Sequence, residues 1–161
     1  MYDQSKEMLD LVHLDLCGPM PVESIGGARY VLLIIDDYSD MYFTYFLKNK
    51  SDTFYMFQVF KEKCKNILGK RIKRIRTDNG TEFVNSQFKE VTEKEGIEHQ
   101  KTVPYNPESN GKVERGNRVI LERARTLLFE SGIPLTFWAE AIAYVTHTAN
   151  ITPRKNKVDT I

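Results

Sequence analysis

Asp78 and Glu114 are the residues whose types and spacing point to chemistry. Asp78 lies in RTDNGTEF (Arg76 to Phe83) and Glu114 in SNGKVERGNR (Ser109 to Arg118), with 35 residues between them. RIKRIRT ahead of Asp78 reads as a strand that delivers it to a strand end, and a helix beginning near Gly111 is expected to carry Glu114 on its first turn. Carboxylates brought together from separate backbone segments suit a hard divalent cation, which takes several oxygen ligands. Asp-Asn-Gly is also a tight-turn sequence, because Asn and Gly tolerate positive φ, and Asp78 taken alone fits that role too. Asp15, near the end of the run MLDLVHLDL (Met8 to Leu16), supplies a third carboxylate. If the strands carrying Asp15 and Asp78 are neighbours, the two acids stand side by side and the long helix can lean Glu114 over both. Three bare carboxylates at that range repel and raise one another's pKa. Two Mg2+ (or Mn2+) ions would turn the same arrangement into a clamp for in-line attack on a phosphodiester.

The elements that must position these residues follow from periodicity. Met8 to Leu16 alternates as a strand does and stops at Gly18-Pro19. Val31 to Ile35 is apolar at every position, the mark of a central strand buried on both faces. After the polar turn at Asp36 to Asp40, MYFTYFLK forms a third strand in an antiparallel hairpin with the second. Ser51 reads as the cap of a helix running to Leu68, with a stripe of Phe54, Phe57, Phe60, Cys64, Ile67 and Leu68. RIKRIRT is the fourth strand and, after that long helix, pairs parallel with an earlier one. Asn85 caps a second helix that Gly96 ends, and IEHQKTV is the fifth strand. Pro104 to Gly111 reads as a mobile, breaker-rich loop. A long helix to Ser131 follows, then a last one near Pro134. The fold class is α/β, a five-stranded mixed sheet with helices on both faces.

At 161 residues the chain is one domain's worth and buries enough surface to fold without staples. Cys17 and Cys64 match neither a zinc spacing nor a disulfide framework, so both read as packed thiols. No apolar run reaches the ~20 residues that span a bilayer, and no signal-peptide pattern opens the chain. A net charge of +1 leaves any nucleic-acid affinity to local patches. Lys61 to Arg76 holds eight Lys or Arg against Glu62 alone, and Lys112 to Arg125 holds five against Glu114 and Glu122. Both flank the carboxylates, so Lys73, Arg74, Arg115 and Arg118 are candidates for phosphate contacts, with a solvated face as the other reading.

HLDLCGPM, VLLIIDDYS, RTDNGTEF, VPYNPESNGKVER and FWAEAIAYVTHTANITPRK together resemble the integrase catalytic core of copia-type (Ty1/copia) LTR retrotransposons, in the retroviral integrase superfamily. The resemblance covers about residues 5 to 157. It implies a ribonuclease H-like fold over residues 1–153, with 154–161 a truncated polar tail. It implies Asp15, Asp78 and Glu114 as catalytic metal ligands for two Mg2+ or Mn2+ ions. The reaction implied is transesterification, in which a 3′ hydroxyl of element cDNA attacks target DNA, with water as nucleophile in end trimming. By the same resemblance, Asn110, Lys112 and Asn117, the last one turn beyond Glu114, are expected to contact DNA, with loop-turn chemistry and a solvated helix start as the other readings; the core pairs at least as a dimer, and it acts in the nucleus after a cytoplasmic particle stage. The zinc module and basic C-terminal region of full integrases are not found, so a core fragment is expected. The family usually has a basic residue where Asp40 stands and a longer side chain where Gly116 stands, which reads as a decaying copy. Two alternatives stay open: a decayed or domesticated remnant that binds DNA or protein without catalysis, and a ribonuclease H-type nuclease. Glu82 could shape the site or merely charge a helix N-terminus, and Trp138 should be core or a subunit contact.

Overall fold

The computed structural model describes residues 5–102 and 107–153, the side chains of 107–110 excepted. Asp10 decides where the first strand starts. Its carboxylate accepts from the backbone N–H groups of Lys6 (2.7 Å) and Glu7 (3.0 Å), a local bond that competes with strand pairing. Residues 7–10 therefore turn, with Leu9 at φ 69°, and β1 is Val12–Cys17 rather than the whole expected run. The fully apolar segment becomes β2 (Tyr30–Asp36), and β3 (Tyr42–Leu47) returns beside it antiparallel, as the tight spacing requires.

The cap expected at Ser51 falls two residues earlier, on Asn49, which caps a 3-10 turn and whose backbone N–H donates to Asp52 at 2.9 Å. A 3-10 turn at Lys50–Asp52 leads into α1 (Thr53–Leu68), which Gly69 ends in the left-handed region. Phe57, Phe60 and Cys64 are buried as the stripe requires, whereas Ile67 is 77% exposed. Next come β4 (Arg74–Thr77), α2 (Ser86–Glu95) and β5 (Glu98–Lys101). Asn85 caps α2 by accepting from the Phe88 N–H at 3.1 Å. The last helices among the described residues are α3 (Pro107–Ser131) and α4 (Trp138–Ile151).

The sheet order is β3-β2-β1-β4-β5, with β1 parallel to β4, β4 parallel to β5 and the β1-β2-β3 pairings antiparallel. One face, with Val12, Leu14, Leu32, Ile34 and Ile75, packs on α1 and α2. The other, with Val31, packs on α3 and α4. Alternation along β2 thus feeds both cores, which is why its sequence shows no polar side. Trp138 is core: it lies edge-on to Phe46 at 5.8 Å and its Nε1 donates to the Val22 carbonyl at 2.9 Å. Among the described residues no helix is long and apolar enough to cross a membrane. The expected tail, 154–161, and the Pro104 end of the expected loop lie outside the described residues.

Candidate active site

The parallel register of β1 and β4 brings Asp15 and Asp78 together. Val12 sits beside Ile75 and His13 beside Arg76, and two further steps set Asp15 level with Asp78 on strands about 4.8 Å apart. Leu14 and Ile75 point to the α1 face, so alternation turns Asp15 and Asp78 to the α3 face. Asp78 is also a turn residue, since the Gly80 N–H donates to its Oδ1 at 2.8 Å. Asp78 thus fills the turn role while its charge acts on Asp15.

The third carboxylate arrives on α3, which starts at Pro107 rather than near Gly111, so Glu114 sits two turns in rather than on the first. A proline at the first helical position has its φ already set for the helix and gives up an N–H that had no partner there. Three residues seat this helix on the sheet. Val113 packs on Leu33 and Ile35. Buried Gly116 lies so close to the Ile35 Cδ1 and the Tyr42 ring that a Cβ would meet both. Buried Asn117 donates from Nδ2 to Asp15 Oδ2. Glu114, one turn before Asn117, is exposed.

Asp15 registers its acidic neighbours. Burial, and next the Asp78 carboxylate, push its carboxyl up to about 6; Glu114 and Glu82 push the same way and the Leu16 N–H opposes them. Burial also drives the nearby Cys17 thiol up to about 12, so it is no thiolate nucleophile. Glu82 folds its carboxylate over Gly80, within 2.5 to 2.8 Å of where a Cβ would stand. Its charge therefore belongs to the site's field as well as to the turn.

By donor chemistry the residues fit a divalent cation: all three are carboxylates, and their mutual repulsion is what a cation would relieve. Among the described residues, however, no three His, Cys, Asp or Glu side chains converge as a ready ion-binding group. Gathering Asp15, Asp78 and Glu114 onto one ion requires side-chain movement.

The basic candidates divide. Arg115 and Arg118 are exposed on α3 beside Glu114. Lys112 is held by Asp37, through its carbonyl (2.5 Å) and Oδ1 (3.2 Å), and by Asp40 Oδ1 (2.5 Å). Asp37 also meets His13 Nε2 at 2.9 Å and accepts from Ser5 Oγ at 2.7 Å. This cluster joins β1, the β2-β3 turn and α3, and sequence reasoning missed it, although three aspartates in DDYSD were its signal. Lys73 just precedes β4 and Arg74 begins it, about 13–16 Å along the chain from Asp78, so they are not brought to the carboxylates. Lys73 pairs with Glu7 and Asp10, both at 2.7 Å. The side chain of Asn110 lies outside the described residues.

A mixed sheet of this order, with helices on both faces, is a ribonuclease H-like domain, and a solved structure shares it. The "CryoEM structure of simian T-cell lymphotropic virus intasome in complex with PP2A regulatory subunit B56 gamma" superposes with a TM-score of 0.74 at 19% identity, covering 97% of this chain and 53% of that one. The family model described as "Integrase core domain" matches residues 6–107. This chain belongs to that family. It is 40% identical over 151 residues to the retrovirus-related Pol polyprotein from transposon TNT 1-94 of Nicotiana tabacum, covering 94% of this chain and 11% of that protein. Against the corresponding polyprotein from transposon RE2 of Arabidopsis thaliana it is 32% identical over 149 residues, covering 92% of this chain and 10% of that protein. The chain thus spans about a tenth of the length of the curated relatives it matches.

Proposed function

We propose that this domain is the catalytic core of a DNA-strand transferase, inserting retrotransposon cDNA into target DNA by phosphodiester transesterification. The observation that carries this reading is the level placement of Asp15 and Asp78 on adjacent parallel strands, with α3 pinned to Asp15 through Asn117, in a chain of the integrase core family. In the proposed step a cDNA 3′ oxygen forms a bond to a target phosphorus as that phosphorus loses its bond to the target 3′ oxygen. The attacking hydroxyl gives up its proton, the leaving oxygen takes one, and the number of phosphoester bonds is unchanged. With water as nucleophile the same step trims an end. Asp15, Asp78 and Glu114 would hold Mg2+ or Mn2+, two ions that stabilise charge on the attacking and leaving oxygens. Asn117 fixes the Asp15 carboxylate, and Arg115 and Arg118 offer cations to backbone phosphates. Self-association at least to a dimer and action in the nucleus belong to this proposal.

A second reading, a remnant that keeps the fold without catalysis, draws on Asp40, which stands where the resembling family usually has a basic residue. Strand joining on branched DNA separates the two. The transferase reading expects joining with Mg2+ or Mn2+ by the native chain and a loss of at least about 100-fold in Asp78→Asn, in the range of other electrostatic catalytic contacts. No joining with either metal by a folded protein would leave the remnant.

A further inference from the structure

A cleft of about 300 Å³ opens between α1, the segment leading into β4, and the end of α2. It lies at the strand-start end of the sheet and on the α1 face, so it is remote from Asp15 and Asp78 in both respects. Buried Ile72 and Ile97 form part of its lining. Lys61, also buried, has its ammonium held by Glu95, with Glu62 at 3.8 Å. That pairing satisfies the cation which could least tolerate isolation.

Lys65, Arg71 and Lys94 line the same cleft from three separate segments, are exposed, and make no ion pair or side-chain hydrogen bond among the described residues. Nearby, Lys70 pairs with Glu7 at 2.6 Å, and Lys73 with Glu7 and Asp10. Lys61, Lys65, Arg71 and Lys94 against Glu62 and Glu95 leave the cleft lining net positive, and a concave, partly apolar wall strengthens that potential. Arg71 adds a planar fork that matches two phosphate oxygens, while lysines act as point charges. The volume is at the lower end of small-ligand sites, which suits one compact cluster of phosphates.

We propose that this cleft is a phosphate-binding site separate from the carboxylates, in which Lys65, Arg71 and Lys94 grip a cluster of phosphates. The cluster can come from a small polyphosphate or from a nucleic-acid backbone. The test is calorimetric titration of the chain with tripolyphosphate in metal-free buffer. Saturable binding is expected, with the Kd raised about tenfold or more in Lys65→Glu and in Arg71→Glu, the scale of one lost charge-assisted contact. Lys101→Glu, at the far end of β5, should bind as the native chain does. Displacement of tripolyphosphate by duplex DNA would identify backbone phosphates as the source, and failure to displace it a small polyphosphate; either result keeps the site. No saturable binding, or an equal loss in Lys101→Glu, overturns it. Far-ultraviolet circular dichroism of each variant checks that the exposed substitutions leave the fold intact.

Discussion

Asp78 serves a turn and a charge cluster at once, and substitution can separate the roles. Asparagine keeps an oxygen to accept from the Gly80 N–H but removes the charge that, after burial, does most to raise the Asp15 carboxyl. In metal-free buffer, Asp78→Asn should melt at the native temperature or slightly above it; a large drop would show that the charge itself is structural. Gly116 invites a different experiment. A helix-interior glycine costs about 1 kcal/mol against alanine, so sequence alone favours Gly116→Ala. The packing says otherwise, because the new methyl would meet the Ile35 Cδ1 and the Tyr42 ring, and overfilling a packed core costs about 1–3 kcal/mol. Urea denaturation should show a net loss of about 1 kcal/mol. Adding Ile35→Val, which deletes that Cδ1, should recover part of it, whereas simple additivity would refute the contact. The glycine that looked like decay has a packing role.

At the scale of elements, the Asp37 cluster ties α3 to the edge of the site. His13, with Ser5 and Lys112 behind it, holds the Asp37 carboxyl well below the usual carboxylate range despite burial. A carboxyl depressed in the folded state stabilises the protein above its ordinary value near 3.8, and that contribution is lost as pH falls below it. Asp37→Asn should therefore cost about 1–3 kcal/mol at pH 7, the worth of hydrogen bonds to a charged group. Denaturation series at successive pH values should show the native and variant curves converging below about pH 4; a constant gap would mean that Asp37 acts by shape alone. α3 also starts about four residues earlier than its local composition suggests. Pro, Asn and Gly between 107 and 111 signal a loop locally, but the helix continues through them into Val113, Gly116 and Asn117, which dock on β1 and β2.

Across the whole molecule, the near-neutral net charge leaves the proposed DNA affinity to local patches, and the structure ranks them. Arg115 and Arg118 stand beside the carboxylates without a partner among the described residues, while Lys73 is already balanced by Glu7 and Asp10. Arg115→Glu or Arg118→Glu should weaken duplex binding and flatten its dependence on log salt by about one unit. Lys73→Glu should change both less, and equal effects in a filter-binding series would contradict this ranking. Sheet strands, helices and their order were legible because hydrophobic period and capping residues such as Asn85 are local properties, and the acids at strand ends followed from them. The sequence by itself therefore determined the mixed sheet, its two helical layers and the candidates Asp15, Asp78 and Glu114. Only the tertiary structure decided that Asn117 holds Asp15, that Lys112 is taken by Asp37 and Asp40, and that Gly116 is a close-approach residue. Those contacts join segments up to 102 residues apart, and no local pattern encodes which side chains meet once the layers pack.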